Sequence, residues 1–289
     1  MTAASRRGVS LIEMLIALTI SAGIGAAILS LLSTSMKFSE RNEAQRSARL
    51  IGRSAINVLV NELRPVDPSW GIDAASRQSV QVKSPYAMGV VCDTATKVTL
   101  VILPVDSTTF AAPGYSGFAW RSGSGAYTAV PGGTMTTSSS VAASCASAGI
   151  QSFVAPAGTP NQKTINATIS GTSRTGIRIG AVIMLYRRVR FSFAPSAQAG
   201  LAGRTALWRD YIDDVAAAIE LVAPFDTSAA FAFYPAGATA PQGTAPSLLS
   251  TIRGIQLNLP GESDNTPRQR TSPEQADMST AVFFLNIAP

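Results

Sequence analysis

Arg6-Arg7-Gly8-Val9-Ser10-Leu11-Ile12-Glu13 leads into a run over residues 14–32 that carries no charge. Two arginines and a glycine stand before a long apolar segment, and one carboxylate sits at its start. At 1.5 Å per residue, residues 14–32 form a helix about 28 Å long, enough to cross a hydrocarbon core. A lone carboxylate at mid-bilayer costs ~2.5–3.5 kcal/mol or more. Glu13 is therefore either a functional residue with a partner to be found, or an interfacial residue whose side chain reaches water. The arginines stay on the cytoplasmic side and the bulk of the chain is exported. A secretory signal would need a small-residue cleavage site after the apolar run, and none follows here.

The helical pattern continues past the apolar run. No proline occurs over 33–63, and Lys37-Phe38-Ser39-Glu40-Arg41-Asn42-Glu43 gives way to an amphipathic stretch. Ile51, Ala55, Leu59 and Leu63 recur at helical spacing, with Ile56 and Val60 beside them. Pro65 and Pro68 end it, because proline cannot continue a helix and restricts the residue before it. The pattern predicts one helix from about Ser10 to Arg64, roughly 80 Å long. Its second half should bury one face against a sheet. A heptad repeat is not sustained, so a coiled coil is not expected.

Beyond Pro68 the texture is that of short strands. Residues 79–82 and 97–103 read as strands bounded by turn formers. Residues 106–175 are rich in Ser, Thr, Gly, Ala and Pro, an insertion of loops with a few short strands, around 118–120 and 150–154. From Ile177 the order returns. Leu185, Arg187, Val189, Phe191 and Phe193 alternate with Tyr186, Arg188, Arg190 and Ser192. Residues 205–211 supply an antiparallel partner, and 213–222 fits a short helix or a strand. Further strands are expected at 231–234, 255–259 and 281–287, the main sheet being built largely from strands after Ile177.

With 289 residues, the chain can hold a membrane helix and one sizeable domain. Apolar residues make up 46% and charged residues only 14%, which suits an exported β-rich domain better than a cytosolic enzyme. There is no histidine, so Ser-His-Asp and Cys-His catalysis are both excluded. Two isolated cysteines cannot make a metal cluster. In an oxidising compartment Cys92 and Cys145 read as a disulfide, the alternative being two buried thiols. The pair brackets much of the insertion and would pin a segment too polar to build its own core. Asp213-Asp214, with Asp210 upstream, is the one adjacent carboxylate pair, but neighbouring side chains diverge and the pair reads as a solvated turn. Arg187-Arg188-Val189-Arg190 lies in an alternating strand whose charges face solvent. The formal charge of +6, or +4 once Arg6 and Arg7 are removed, comes without a dense basic cluster, so nucleic-acid binding is not expected. No phosphate-binding fingerprint appears. The chain is expected to be a non-enzyme without a cofactor.

The opening stretch resembles the type III signal of type IV pilins and type II secretion pseudopilins: a basic leader, Gly, Ser-Leu-Ile-Glu and then the apolar helix. The resemblance implies a leader over 1–8, cut after Gly8 by a prepilin peptidase that methylates the new terminus, Val9. Arg6, Arg7, Gly8 and Val9 would be the processing residues and Glu13 the assembly residue. The first mature residue, usually aromatic in the family, is Val9 here. Major pilins carry a proline deeper in the helix, which this chain lacks. The C-terminal order is similar to PilW-like minor pilins and, next, GspJ-like pseudopilins. It rests on Tyr186-Arg187-Arg188, Leu207-Trp208-Arg209, the acidic-apolar run 213–222, the aromatics 231–234, Ile252-Arg253-Gly254-Ile255-Gln256-Leu257 and the final strand near Asn286. The insertion lies outside this resemblance.

The implied architecture is an α+β pilin-like fold. A long N-terminal helix over 9–64, with its first half in the inner membrane, packs on an exported antiparallel β-domain over 65–289. The implied function is that of a minor pilin taking part in type IV pilus initiation or in a tip complex. The alternatives are a minor pseudopilin of a secretion or DNA-uptake system, and a pilus-associated adhesin. The expected partners are other pilin or pseudopilin subunits and the prepilin peptidase.

Overall fold

A computed structural model describes residues 10–107, 110, 114–123, 125–140, 142–154, 165–268 and 270–284. Arg6, Arg7, Gly8 and Val9 lie outside the described residues. Helix α1 (Leu11–Leu63) runs unbroken for 53 residues, about 80 Å at the α-helical rise. Ser10 caps its start, and the Arg64 amide still donates to the Val60 carbonyl at 3.0 Å before Pro65 stops it. Both ends fall within a residue of the boundaries expected from the sequence.

The two halves of α1 meet different surroundings. Apolar side chains from Leu11 onward, including Ile16, Leu18, Ile20, Leu29 and Leu31, touch no other element and stay exposed. In the second half Ala48, Gly52, Ala55, Leu59 and Leu63 are buried, a face spaced by three and four residues. Ile51, expected on this face, lies half-buried at its flank. Small residues take its place because the helix approaches the sheet closely. A Cβ added to Gly261 would stand 2.2 Å from the Ala48 carbonyl oxygen.

Among the described residues fifteen strands follow: β1 (Ile72–Ser76), β2 (Ser79–Asp93), β3 (Val98–Ile102), β4 (Gly117–Arg121), β5 (Tyr127–Pro131), β6 (Thr134–Ser138), β7 (Asn166–Ser170), β8 (Val182–Pro195), β9 (Thr205–Tyr211), β10 (Ile219–Phe225), β11 (Ala230–Pro235), β12 (Ile252–Asn258), β13 (Gly261–Glu262), β14 (Gln275–Ala276) and β15 (Ser279–Phe283). Between β6 and β7 lie two short helices, α2 (Ala143–Ser147) and α3 (Ile150–Val154). The main antiparallel sheet runs β14-β13-β10-β9-β8-β2-β3-β7-β6, with β1 added on β2 and β4-β5 added on β8. A second sheet, β11-β12-β15, stands apart.

Strands β2 and β8 pair over most of their lengths, from Ser79↔Ser192 to Val90↔Val182. They form a spine between two cores. At one end Leu59 and Leu63 of α1, Val80 and Val82 of β2, and Phe191 and Phe193 of β8 bury against the inner side chains of β11-β12-β15. At the other, Val91, Leu100, Phe118, Trp120, Ile169 and Ile183 bury together. The insertion is thus not too polar to contribute a core, since Phe118, Trp120, Ala167 and Ile169 all come from it.

Two other expectations change, and one left open is resolved. The strand begun at 79 extends to Asp93, so the longest strand of the sheet precedes Ile177. Pro85 is tolerated in it because the pairing register shifts between Pro85 and Ala87. Residues 150–154 are helical rather than extended, held over the back of β2 and β3 where Ile150 and Val154 bury beside Cys92 and Cys145. The ambiguous 213–222 run resolves into a turn followed by β10, which pairs with β9.

Candidate functional site

Glu13 lies in the first turn of α1 and faces its own backbone. Its Oε2 accepts from the Ser10 amide at 3.2 Å, while Ser10 Oγ accepts from the Ile12 amide at 3.3 Å. The two side chains form a reciprocal capping box. Such a box satisfies amides that have no partner within the helix, and a carboxylate in the first turn is favoured by the helix dipole by ~0.3–1 kcal/mol. Ser10-x-x-Glu13 carries this pattern in the sequence, a local use for a carboxylate whose partner was expected to be a cation. Among the described residues only one carboxylate oxygen is engaged, and Glu13 makes no ion pair.

The segment that follows is strongly apolar, and none of its most apolar stretch is buried against the domain. Two hydroxyls bond back to the helix: Thr19 Oγ1 donates to the Ile16 carbonyl and Thr34 Oγ1 to the Ser30 carbonyl, each at 2.9 Å. Such back-bonds satisfy a hydroxyl where the medium offers no partner. The helix is long and apolar enough to anchor the chain by a single pass through a membrane.

Where α1 leaves this segment, the loop between β13 and β14 closes on it. Arg41 pairs with Glu274 at 3.3 Å and Arg268 with Glu40 at 3.5 Å. A cleft of about 610 Å³ runs between helix and loop, with Glu40, Glu43, Asp264 and Arg268 on its walls. At the far end of α1, Glu62 accepts from Ser84 Oγ at 3.1 Å and lies 3.6 Å from Arg209. The helix is thus tied to the sheet at both ends of its buried half.

The other candidates have structural roles. Cys92 and Cys145 form a disulfide with their Cα atoms 4.8 Å apart, fixing α2 to the end of β2. The arginines of β8 do not merely face solvent. Arg188 Nε donates to Asp213 Oδ2 at 2.8 Å, Arg190 pairs with Asp210, and the Arg187 guanidinium lies 4.1 Å from the Tyr86 ring centre. The hydrogen bond from Arg188 lowers the Asp213 pKa against the opposing effect of burial. Asp214 Oδ1 accepts from the Ala216 amide at 3.3 Å, so the adjacent carboxylates belong to a turn and have separate partners. Burial pushes the Tyr86 phenol up to about 12, with Arg187 opposing the rise. Among the described residues no three His, Cys, Asp or Glu side chains gather as metal ligands. The chain has no significant match to a protein-family model, to a curated protein or to a solved structure.

Proposed function

We propose that this chain is a minor pilin of a type IV pilus, cut after Gly8, anchored in the inner membrane by its apolar half-helix and acting in pilus initiation or at the tip. The observation that carries this reading is the division of α1. One half is apolar, unpacked and headed by a single carboxylate. The other half continues without a break and is locked under an antiparallel sheet. A subunit of that design can leave the bilayer and enter a helical bundle without unfolding its domain. In this reading Glu13 pairs with the positive amine of Val9 on a neighbouring subunit. Each charge is costly alone in lipid, and pairing offsets much of that cost.

The test has two parts. Mass spectrometry of the protein from a host with an active prepilin peptidase should find Val9 as the first residue, and an intact Met1 would refute processing. Glu13→Ala should insert and be cut normally, because the segment becomes more apolar. It should then fail to co-purify with pilus subunits at matched membrane abundance. Equal recovery would leave Glu13 as a helix cap and no more. Recovery of the wild type with secretion pseudopilins in place of pilus subunits would move the chain to that filament.

A further inference from the structure

Four cations gather where α1 leaves its apolar half. Lys37, Arg41, Arg268 and Arg270, together with Pro267 and Glu274, line a cleft of about 190 Å³. Glu274 is its single carboxylate, nearly buried, and bridges Arg41 at 3.3 Å and Arg270 at 3.6 Å while accepting from Gln45 at 3.5 Å. Arg268 contacts Glu40 at 3.5 Å yet keeps 83% of its side chain exposed, and Arg41 and Arg270 each keep 51%. Among the described residues Lys37 makes no ion pair. The lining of this cleft therefore carries more cations than acids, pinned by Glu274 between Arg41 and Arg270, while Glu40, Glu43 and Asp264 lie on the adjoining cleft across Arg268.

The height of this cleft follows from the helix. With Gly23 at the midplane of the apolar run, Lys37 stands about 21 Å out at 1.5 Å per residue. A bilayer with its headgroups reaches about 20–22 Å from its midplane. Arg41 starts one turn further, and its long side chain can reach back toward the interface. Met36 and Phe38, 61% and 66% exposed, put apolar surface at the same level. Cations on the exported side run against the bias that keeps lysine and arginine on the cytoplasmic flank, so topology does not account for them.

We propose that Lys37, Arg41, Arg268 and Arg270 form a docking site for the anionic phosphate headgroups of the bilayer that α1 crosses. The site holds the base of the domain against the outer leaflet while the subunit waits in the membrane. It rests on the membrane-anchored part of the reading above and not on any filament.

The experiment uses the full-length chain. It is reconstituted into bilayers of phosphatidylcholine mixed with phosphatidylglycerol, extracted gently, and its retained lipids are measured by mass spectrometry. Wild type should retain phosphatidylglycerol well above its bulk fraction. Arg268→Gln/Arg270→Gln should lose that enrichment by on the order of tenfold or more, because two cations near an anionic surface are gone. Arg77→Gln/Arg178→Gln, which removes the same charge elsewhere on the surface, should behave as wild type. Undiminished enrichment in the first double variant overturns the site. Complete displacement by excess inorganic phosphate also overturns it, by showing that a free anion and not the bilayer is the ligand. Flotation with pure phosphatidylcholine vesicles separates the two levels. If wild type does not float, the membrane anchor itself fails; if it floats but shows no phosphatidylglycerol preference, only the headgroup site falls.

Discussion

Adding one methyl group at Gly261 tests the packing of α1 at its tightest point. A Cβ there would stand 2.2 Å from the Ala48 carbonyl oxygen, 3.2 Å from the Ala48 carbonyl carbon and 3.2 Å from the Gly52 nitrogen. All three obstacles are helix backbone, and the first is more than 1 Å inside the ~3.5 Å separation at which such atoms attract. The helix must lift, and Ala55, Leu59 and Leu63, all 0% exposed, lift with it. Overpacking of this kind costs ~1–3 kcal/mol, and the upper end applies where the obstacle cannot rotate away. Gly52 on the facing surface offers the contrast. Its added Cβ would meet the Met278 sulfur at 2.7 Å, the far part of a flexible side chain. Alanine also gains about 1 kcal/mol over glycine inside a helix. Gly52→Ala should therefore stay within about 1 kcal/mol of wild type, while Gly261→Ala loses about 2–3 kcal/mol. Urea unfolding of a fragment starting at Ser33, followed by tryptophan emission, measures both. With a slope of roughly 2–3 kcal/mol per M, the Gly261→Ala midpoint drops by about 1 M. Equal midpoints for the two variants would falsify the close approach.

The same fragment provides other checks. A chain starting at Ser33 should be monomeric in size-exclusion chromatography, whereas one starting after Pro65 uncovers the sheet face beneath Leu59 and Leu63 and should aggregate; a monomeric, equally stable shorter chain would overturn the packing. Peptide mapping of the oxidised domain should recover Cys92 joined to Cys145, a link between residues 53 apart in sequence. Replacing both with alanine should lower stability by up to about 4 kcal/mol, and an unchanged urea midpoint would contradict this. Burial raises Tyr86 and Tyr186 to about 12, above the ordinary value of 10.0. The folded form thus keeps its protons while the unfolded chain loses them. Stability should be full below pH 10 and fall as pH rises toward 12, and a flat midpoint across that window would disprove the burial of these phenols.

What the sequence disclosed, and what it hid, follows from how far apart the deciding residues lie. The boundaries of α1 and its buried face were legible because a cap, a period and a proline all act within one helix. The β8–β9 pair was legible because Phe191 and Phe193 alternate strictly with their polar neighbours. Strand β2 was cut short in the reading because Pro85 and Gly89 are strand breakers in isolation. The structure uses both: Pro85 falls at a register shift, and Gly89 leaves room for Leu100, whose Cδ1 would lie 2.3 Å from an added Cβ. Residues 150–154 read as a strand because Ile, Phe and Val favour one. Their helix is set by contacts with β2 and β3, far upstream in the chain, which no local pattern encodes. The pairing of Arg188 with Asp213 and Arg190 with Asp210 was hidden for the same reason. Each joins residues twenty or more positions apart, in contact only once β8 folds against β9 and the turn after it. Glu13 is the opposite case. Its observed partner is the Ser10 amide, three residues away, in a Ser-x-x-Glu pattern wholly local to the sequence. The cap engages one oxygen of Glu13 in its own helix start, and the proposed pairing with a neighbouring Val9 amine would have to use the other.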